Sequence, residues 1–223
     1  MVNPLSSSLR VVVTPNTIIN QKRHTLYYLY NEEMLCATAT TCLVAIENEK
    51  LMSWKNHTSG QHSHELEYTI GFESLTSTRL STRISLSNSL NGVEIRDTNS
   101  GIYKKFLPEE MSPERRLKTR VAIPAHSDLY FYQSKYVLET EVYFTHDGWS
   151  RLCVVVSNDD AQTRRWRIRS TVHSAEFTTT DQELQEVVEM NMFGQTKQDV
   201  YGDSQRRFDD LTDRAKDTLR GFD

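Results

Sequence analysis

Two stretches of this chain alternate apolar and polar side chains for much longer than an ordinary strand. From His62 the alternation is strict, with Leu66, Tyr68, Ile70 and Phe72 on one face and Glu65, Glu67, Thr69 and Glu73 on the other. The phase slips at Glu73-Ser74-Leu75, as a β-bulge would make it. It resumes with Leu80, Ile84 and Leu86 against Ser81, Arg83, Ser85 and Ser87, which predicts one strand over 62–87. A second long strand is predicted over 128–145, rich in aromatic and β-branched residues. Strands commonly run about 5–6 residues. Strands of this length predict a mainly β fold: an elongated, twisted antiparallel sheet.

Shorter β-runs precede and follow. Leu9 to Thr14 is ended by Pro15-Asn16; His24 to Tyr30 and Cys36 to Glu47 come next. Asn91-Gly92 is a strong signal for a two-residue type I′ hairpin, setting Leu90 opposite Val93 with Ile95 on the returning strand. Phe106 to Leu117 is charged and carries Pro108 and Pro113, so a loop or short helix is expected. Turns at Asp147-Gly148 and Asn158-Asp159-Asp160 lead into Leu152–Val156 and Thr163–Val172. The C-terminal residues change character. Thr180-Asp181-Gln182-Glu183 fits a capping box, and Leu184, Val187 and Val188 predict a helix ending near Gly194. Phe208, Leu211, Ala215 and Leu219 predict a second helix with a narrow buried stripe. The expected organisation is an N-terminal β region over 1–60, an elongated β module over 61–178 and a C-terminal helical segment over 179–223.

The formal charge of −4 and pI near 6.0 argue against nucleic acid as a partner, which would call for a basic excess. The one basic run, Arg164-Arg165-Trp166-Arg167-Ile168-Arg169, reads as a strand face paired with Glu139 and Glu141. Mean hydropathy is −0.58, polar but not of the disordered class. Cys36, Cys42 and Cys153 have no framework spacing. The N-terminal residues lack the pattern of a secretory signal, so synthesis as a cytoplasmic chain is expected, with any export by a non-classical route.

The order of features resembles a known family. A His-Glu-aromatic strand runs into Ser/Thr alternation, then a hairpin and the basic run Arg115-Arg116-Leu117-Lys118-Thr119-Arg120. Val121-Ala122-Ile123-Pro124-Ala125 then opens a long aromatic strand. Over roughly residues 55–175 this resembles the aerolysin-like β-pore-forming module of the epsilon-toxin and mosquitocidal-toxin type. The resemblance implies self-association into a homo-oligomer, a lipid membrane as partner, and an insertion hairpin within 80–120 carrying Ile84, Leu86, Leu90, Val93 and Ile95. Arg96, Asp97, Asn99, Lys104 and Lys105 interrupt the apolar face such a hairpin needs.

A second reading, of a different class, is an intracellular enzyme or small-molecule-binding protein, for example in secondary metabolism, on the same β-scaffold. Its acid–base candidates are His126 with Asp128, Tyr132, and His146 with Asp147. Tyr130, Tyr136, Trp149 and Trp166 would line its pocket for an apolar small molecule. No nucleophile or phosphate motif accompanies them, and the sequence leaves open whether the chain is an enzyme. His57, His62 and His64 with Cys36 or Cys42 match no strong zinc spacing, so neither metal nor other cofactor is expected.

Overall fold

The computed structural model describes residues 7–74, 82–97, 101–149, 151–158, 164–192 and 204–222. It is mainly β, as the alternation predicts. Strand β1 (Arg10–Leu29) is followed by β2 (Glu33–Asn56), β3 (His62–Ser74), helix α1 (Leu86–Leu90), β4 (Glu94–Asp97) and β5 (Ile102–Lys105). Then come β6 (Arg115–Ile123), β7 (Ser127–Gly148), β8 (Arg151–Val156), β9 (Arg165–Thr180), β10 (Val187–Met190) and β11 (Gln205–Arg207). A 3₁₀ turn (Phe208–Asp210) and helix α2 (Asp213–Arg220) follow.

One large sheet runs β10-β1-β2-β7-β9-β3-β6, with β8 on β7 and β11 on β8. The long strands are antiparallel, while β10 joins β1 and β11 joins β8 in parallel, so the sheet is mixed. Its spine is the ladder of β2 on β7, registered from Glu33↔Gly148 to Asn56↔Ser127. β1 passes through Pro15-Asn16 by a register slip between Val12 and Thr17 rather than stopping there, because an irregularity tolerates a residue without an N–H.

Leu35 through Leu43 are buried without interruption, so the centre of β2 is covered on both faces. The main core joins buried residues of this stretch to Tyr136, Leu138, Val142 and Phe144 of β7, to Ile84, Leu86, Leu90, Ile95, Ile102 and Phe106, and to Leu211, Ala215, Leu219 and Phe222. Arg165 and Arg167 pair with Glu141 at 3.4 and 3.7 Å, and Glu139 faces Arg169, the cross-strand partners expected.

Three local expectations are corrected. The strand from His62 ends at Ser74, and residues 82–90 form helical turns ending in α1. Leu86 and Leu90, spaced i,i+4, both bury from that helix. Asn91-Gly92 is not the hairpin turn. Asn91 has φ −60° and Gly92 φ +75°, a type II turn closed by the Val93 N–H on the Leu90 carbonyl at 3.0 Å. The hairpin closes instead between Asp97 and Ile102. The helix expected from Leu184 is absent, since Val187–Met190 pair with Arg10–Val13 and Val187 is exposed. The Thr180 hydroxyl donates to the Gln182 carbonyl at 2.6 Å, making a turn where a helix cap was expected. Gly194, where that helix was to end, lies outside the described residues. The last helix does form. Thr212 caps it, accepting the Ala215 N–H at 3.2 Å, and Ala215 and Leu219 are buried.

Candidate functional site

β3 and β6 are neighbours, registered antiparallel from His62↔Ile123 to Ile70↔Arg115. A direct turn could join them, yet the connection runs for some forty residues (75–114) and leaves the sheet. It folds as the turns of 82–90, then the β4–β5 hairpin. That hairpin forms its own two-stranded sheet, and neither strand pairs with the main sheet. Ile84, Leu86, Leu90, Ile95, Ile102 and Phe106 are buried in the main core, and Val93 packs against it. Phe106 meets Tyr136 edge-on with centroids 5.5 Å apart. Asn20 of β1 donates to the Ser89 carbonyl at 3.0 Å. The apolar insertion candidates are therefore gathered, folded down against the body.

A buried charge cluster holds the hairpin as well. Lys104 on β5 is 2% exposed, and its ammonium donates to Glu110 at 2.7 Å, Ser174 at 2.9 Å and Glu176 at 3.1 Å. The Glu110 carboxylate, fully buried, also accepts from the Ser174 hydroxyl at 2.7 Å and from the N–H groups of Ala175 and Leu107 at 3.0 Å. Burial pushes the Glu110 carboxyl up, but these donors and the Lys104 charge outweigh it and hold it below the usual range. The Tyr136 hydroxyl donates to Glu176 at 2.7 Å, and burial followed by the Glu176 charge raises its pKa well above the ordinary value.

The roots of the connection are tight. Gly71 has φ +136°, and a Cβ there would meet the Glu114 Cα at 2.7 Å and the Ser112 carbonyl at 2.9 Å. Here β3 changes partner from β6 to β9, with the Phe72 N–H on the Ser112 carbonyl at 2.8 Å. Beside it, His173 lies 2.9 Å from Glu114 and 3.9 Å from Glu73. Burial and then the charge of Lys135 lower the His173 pKa against the pull of the glutamates. These three side chains bring ligating atoms within 4.8 Å of one another. The His173 Nδ1 has no partner that would orient the ring as a metal ligand.

The acid–base candidates do not converge. His126 is exposed in a left-handed turn (φ 51°), and Asp128 lies 3.8 Å from Lys55. Tyr132 is buried and accepts the Leu184 N–H at 2.9 Å, a packing role. His146 is fully buried at the other end of β7, with Nε2 2.9 Å from Glu33 and Nδ1 2.7 Å from Arg206. Arg206 can only donate, so Nδ1 accepts and Nε2–H points at Glu33. Asp147 faces a shallow surface hollow with Tyr28 and Met34.

Nor do the aromatic candidates form one pocket. Tyr130 is half-buried and Tyr136 lies under the hairpin; Trp149 is 69% exposed beneath Arg206, and Trp166 packs edge-on to Phe144. Of the histidine cluster, His62 bonds Thr58 and His64 stacks on Trp54; Cys36 and Cys42 are buried in β2. Sequence reasoning missed the Lys104 cluster and the Glu33–His146–Arg206 chain, whose partners are joined by strand register alone. No described helix is long and apolar enough to cross a membrane.

No family model matches the chain, and no curated protein matches it in sequence. Among solved structures, distant likenesses are to toxins. The oligomeric pore-forming toxin pro-Monalysin is 12% identical at a TM-score of 0.40, over 78% of this chain and 71% of that one. Cry35Ab1 is 8% identical at 0.28, and this chain spans 46% of its length. Parasporin-2, a Bacillus thuringiensis toxin that recognizes cancer cells, is 11% identical at 0.18, over 68% of this chain and 75% of that one.

Proposed function

We propose that this chain is a membrane-active, pore-forming β-protein that acts by self-association. One observation carries the reading: a segment written with strand periodicity is held in helical turns, beside a hairpin whose two strands pair only with each other. From Leu80 to Leu90 every odd position is polar, and Leu80, Ile84, Leu86 and Leu90 fall on the even face. Thr82 and Asn88 share that face, so four of its six positions are apolar, and the eleven residues match in length the roughly 9–11 of a membrane-crossing β-strand. In the folded monomer residues 82–90 are helical turns whose apolar side chains are sheltered in the core.

Because β3 and β6 are already paired, extending both arms needs no new topology. The turn between Asp97 and Ile102 becomes the tip, with Arg96, Asp97, Lys104 and Lys105 clustered near it. A Lys or Arg on the lipid face at the midplane costs about 2–4 kcal/mol, falling towards zero at the interface. Charges near the tip fit beyond the apolar band, and the outgoing arm supplies most of the lipid face.

The test is dye release from zwitterionic and anionic vesicles, together with an environment-sensitive fluorophore on single cysteines placed along 82–90. Release is expected, with even positions entering an apolar medium and odd positions staying wet. Absence of release in every lipid composition, or emission without the two-residue alternation, refutes the reading.

A further inference from the structure

Besides the β11 edge, the main sheet has two edges, and these two are of opposite charge. At one end, among the described residues, β6 pairs only with β3, and Arg115, Arg116, Lys118 and Arg120 are exposed along it. Lys118 is engaged by Glu65 at 2.8 Å and Glu67 at 3.2 Å. Arg115 and Arg116 make no ion pair among the described residues, and Arg120 stands opposite Glu65, which pairs with Lys118 instead. At the other end, among the described residues, β10 pairs only with β1; Glu189 is exposed on it and Glu186 just before it, and Asp181 and Glu183 are exposed further back in the link from β9. Glu183 is engaged by Lys50. Asp181, Glu186 and Glu189 meet no base among the described residues. Val187, in the β10 edge itself, is 62% exposed.

An open sheet edge presents a row of main-chain donors and acceptors and is a template for another strand. Here, among the described residues, Arg115 and Arg116 stand without an ion pair on one edge, and Glu186 and Glu189 without one on or beside the other. Two copies of the basic edge would repel, as would two copies of the acidic edge. We infer that these edges bind each other between copies of this chain, the β6 edge of one protomer against the β10 edge of the next. The contact joins unlike surfaces, so repeating it closes a ring or runs on as a filament. The inference rests on the self-association proposed above and names the surface that carries it.

Charge reversal with a swap tests it. R116E/R120E makes both edges acidic, and E186K/E189K makes both basic. All four side chains are exposed, so each variant is expected to keep the wild-type melting temperature. Assembly size is read by light scattering and cross-linking, in solution and on vesicles, at low and high salt. Wild type is expected to associate less at high salt. Each variant alone is expected to need roughly tenfold or more protein to associate, and an equimolar mixture of the two to recover. Wild-type-like association of either variant, a mixture that does not recover, or a wild type monomeric under every condition overturns the inference. Dye release is read in the same samples. Release with assembly indifferent to the swap rejects the edge contact alone, whereas swap-obedient assembly without release rejects the pore alone.

Discussion

Replacing Lys104 by alanine probes what holds the hairpin down. The substitution leaves Glu110 fully buried, close to Glu176, without its cation. Breaking a buried pair by removing one member typically costs about 3–5 kcal/mol. A second route to the magnitude is to let Glu110 take up a proton. From an ordinary pKa near 4.3 to pH 7 that costs about 3.7 kcal/mol, at about 1.36 kcal/mol per unit. The two agree, so Lys104→Ala is expected to lose about 3–4 kcal/mol at pH 7. The double variant Lys104→Met/Glu110→Gln carries no buried charge and is expected to recover more than half of that. Urea unfolding at fixed pH measures the difference. Hydrogen exchange over 94–105 separates local opening of the hairpin from global unfolding. The pH dependence has a fixed sign. In the wild type Glu110 is held below its unfolded pKa, so its contribution is complete above about pH 4.3 and is lost as pH falls further. In Lys104→Ala the penalty shrinks as pH falls from 7 towards 5, because protonation becomes cheaper. Equal losses in the single and double variants, or a single-variant loss below about 1 kcal/mol, would refute the argument.

Gly71→Ala is expected to lower the melting temperature and loosen 112–114. The backbone sits at φ +136° and the new Cβ meets main-chain atoms, a strain on the order of 1–3 kcal/mol; an unchanged melting curve would contradict it. Leu219→Ala is expected to cost about 2–5 kcal/mol by opening a cavity where α2 meets the core. Truncation after Phe193 should then be more destabilising still, since it removes Arg206 and Thr212, the partners of His146 and Glu33. Wild-type thermal stability of the truncated chain would mean that α2 contributes nothing to the fold.

Much of the body was legible because its signals are local. The aromatic alternation of Asp128–Thr145 lies inside β7, and the arginines of 165–169 found the glutamates that strand spacing assigned them. Of the predicted stripe only Ala215 and Leu219 lie on helix α2; Phe208 sits in the preceding 3₁₀ turn and Leu211 in an extended residue between the two, because Thr212 starts the helix later than the spacing suggested. Elsewhere two local patterns fitted the same residues. Leu86 and Leu90 satisfy both a two-residue and a four-residue spacing, and the core they reach decides between them. Leu184, Val187 and Val188 have helical spacing, but residues 10–13 offered an unpaired edge, and hydrogen bonding to it won. The Lys104 cluster was illegible in principle, because Ser174 and Glu176 come from about seventy residues away. His146 was noticed beside Asp147, yet successive strand residues point to opposite faces. Its real partner, Glu33, arrives through the β2–β7 register.

Helix α1 also sets a length. As helix its five residues, Leu86–Leu90, span about 7.5 Å, at 1.5 Å each. In strand geometry the same five would span about 16 Å. The segment thus occupies less than half its extended reach, and the antiparallel β3–β6 ladder sends both arms of the connection out from the same end. Under the insertion proposed above, unwinding α1 would lengthen the outgoing arm by about 9 Å from these five residues alone.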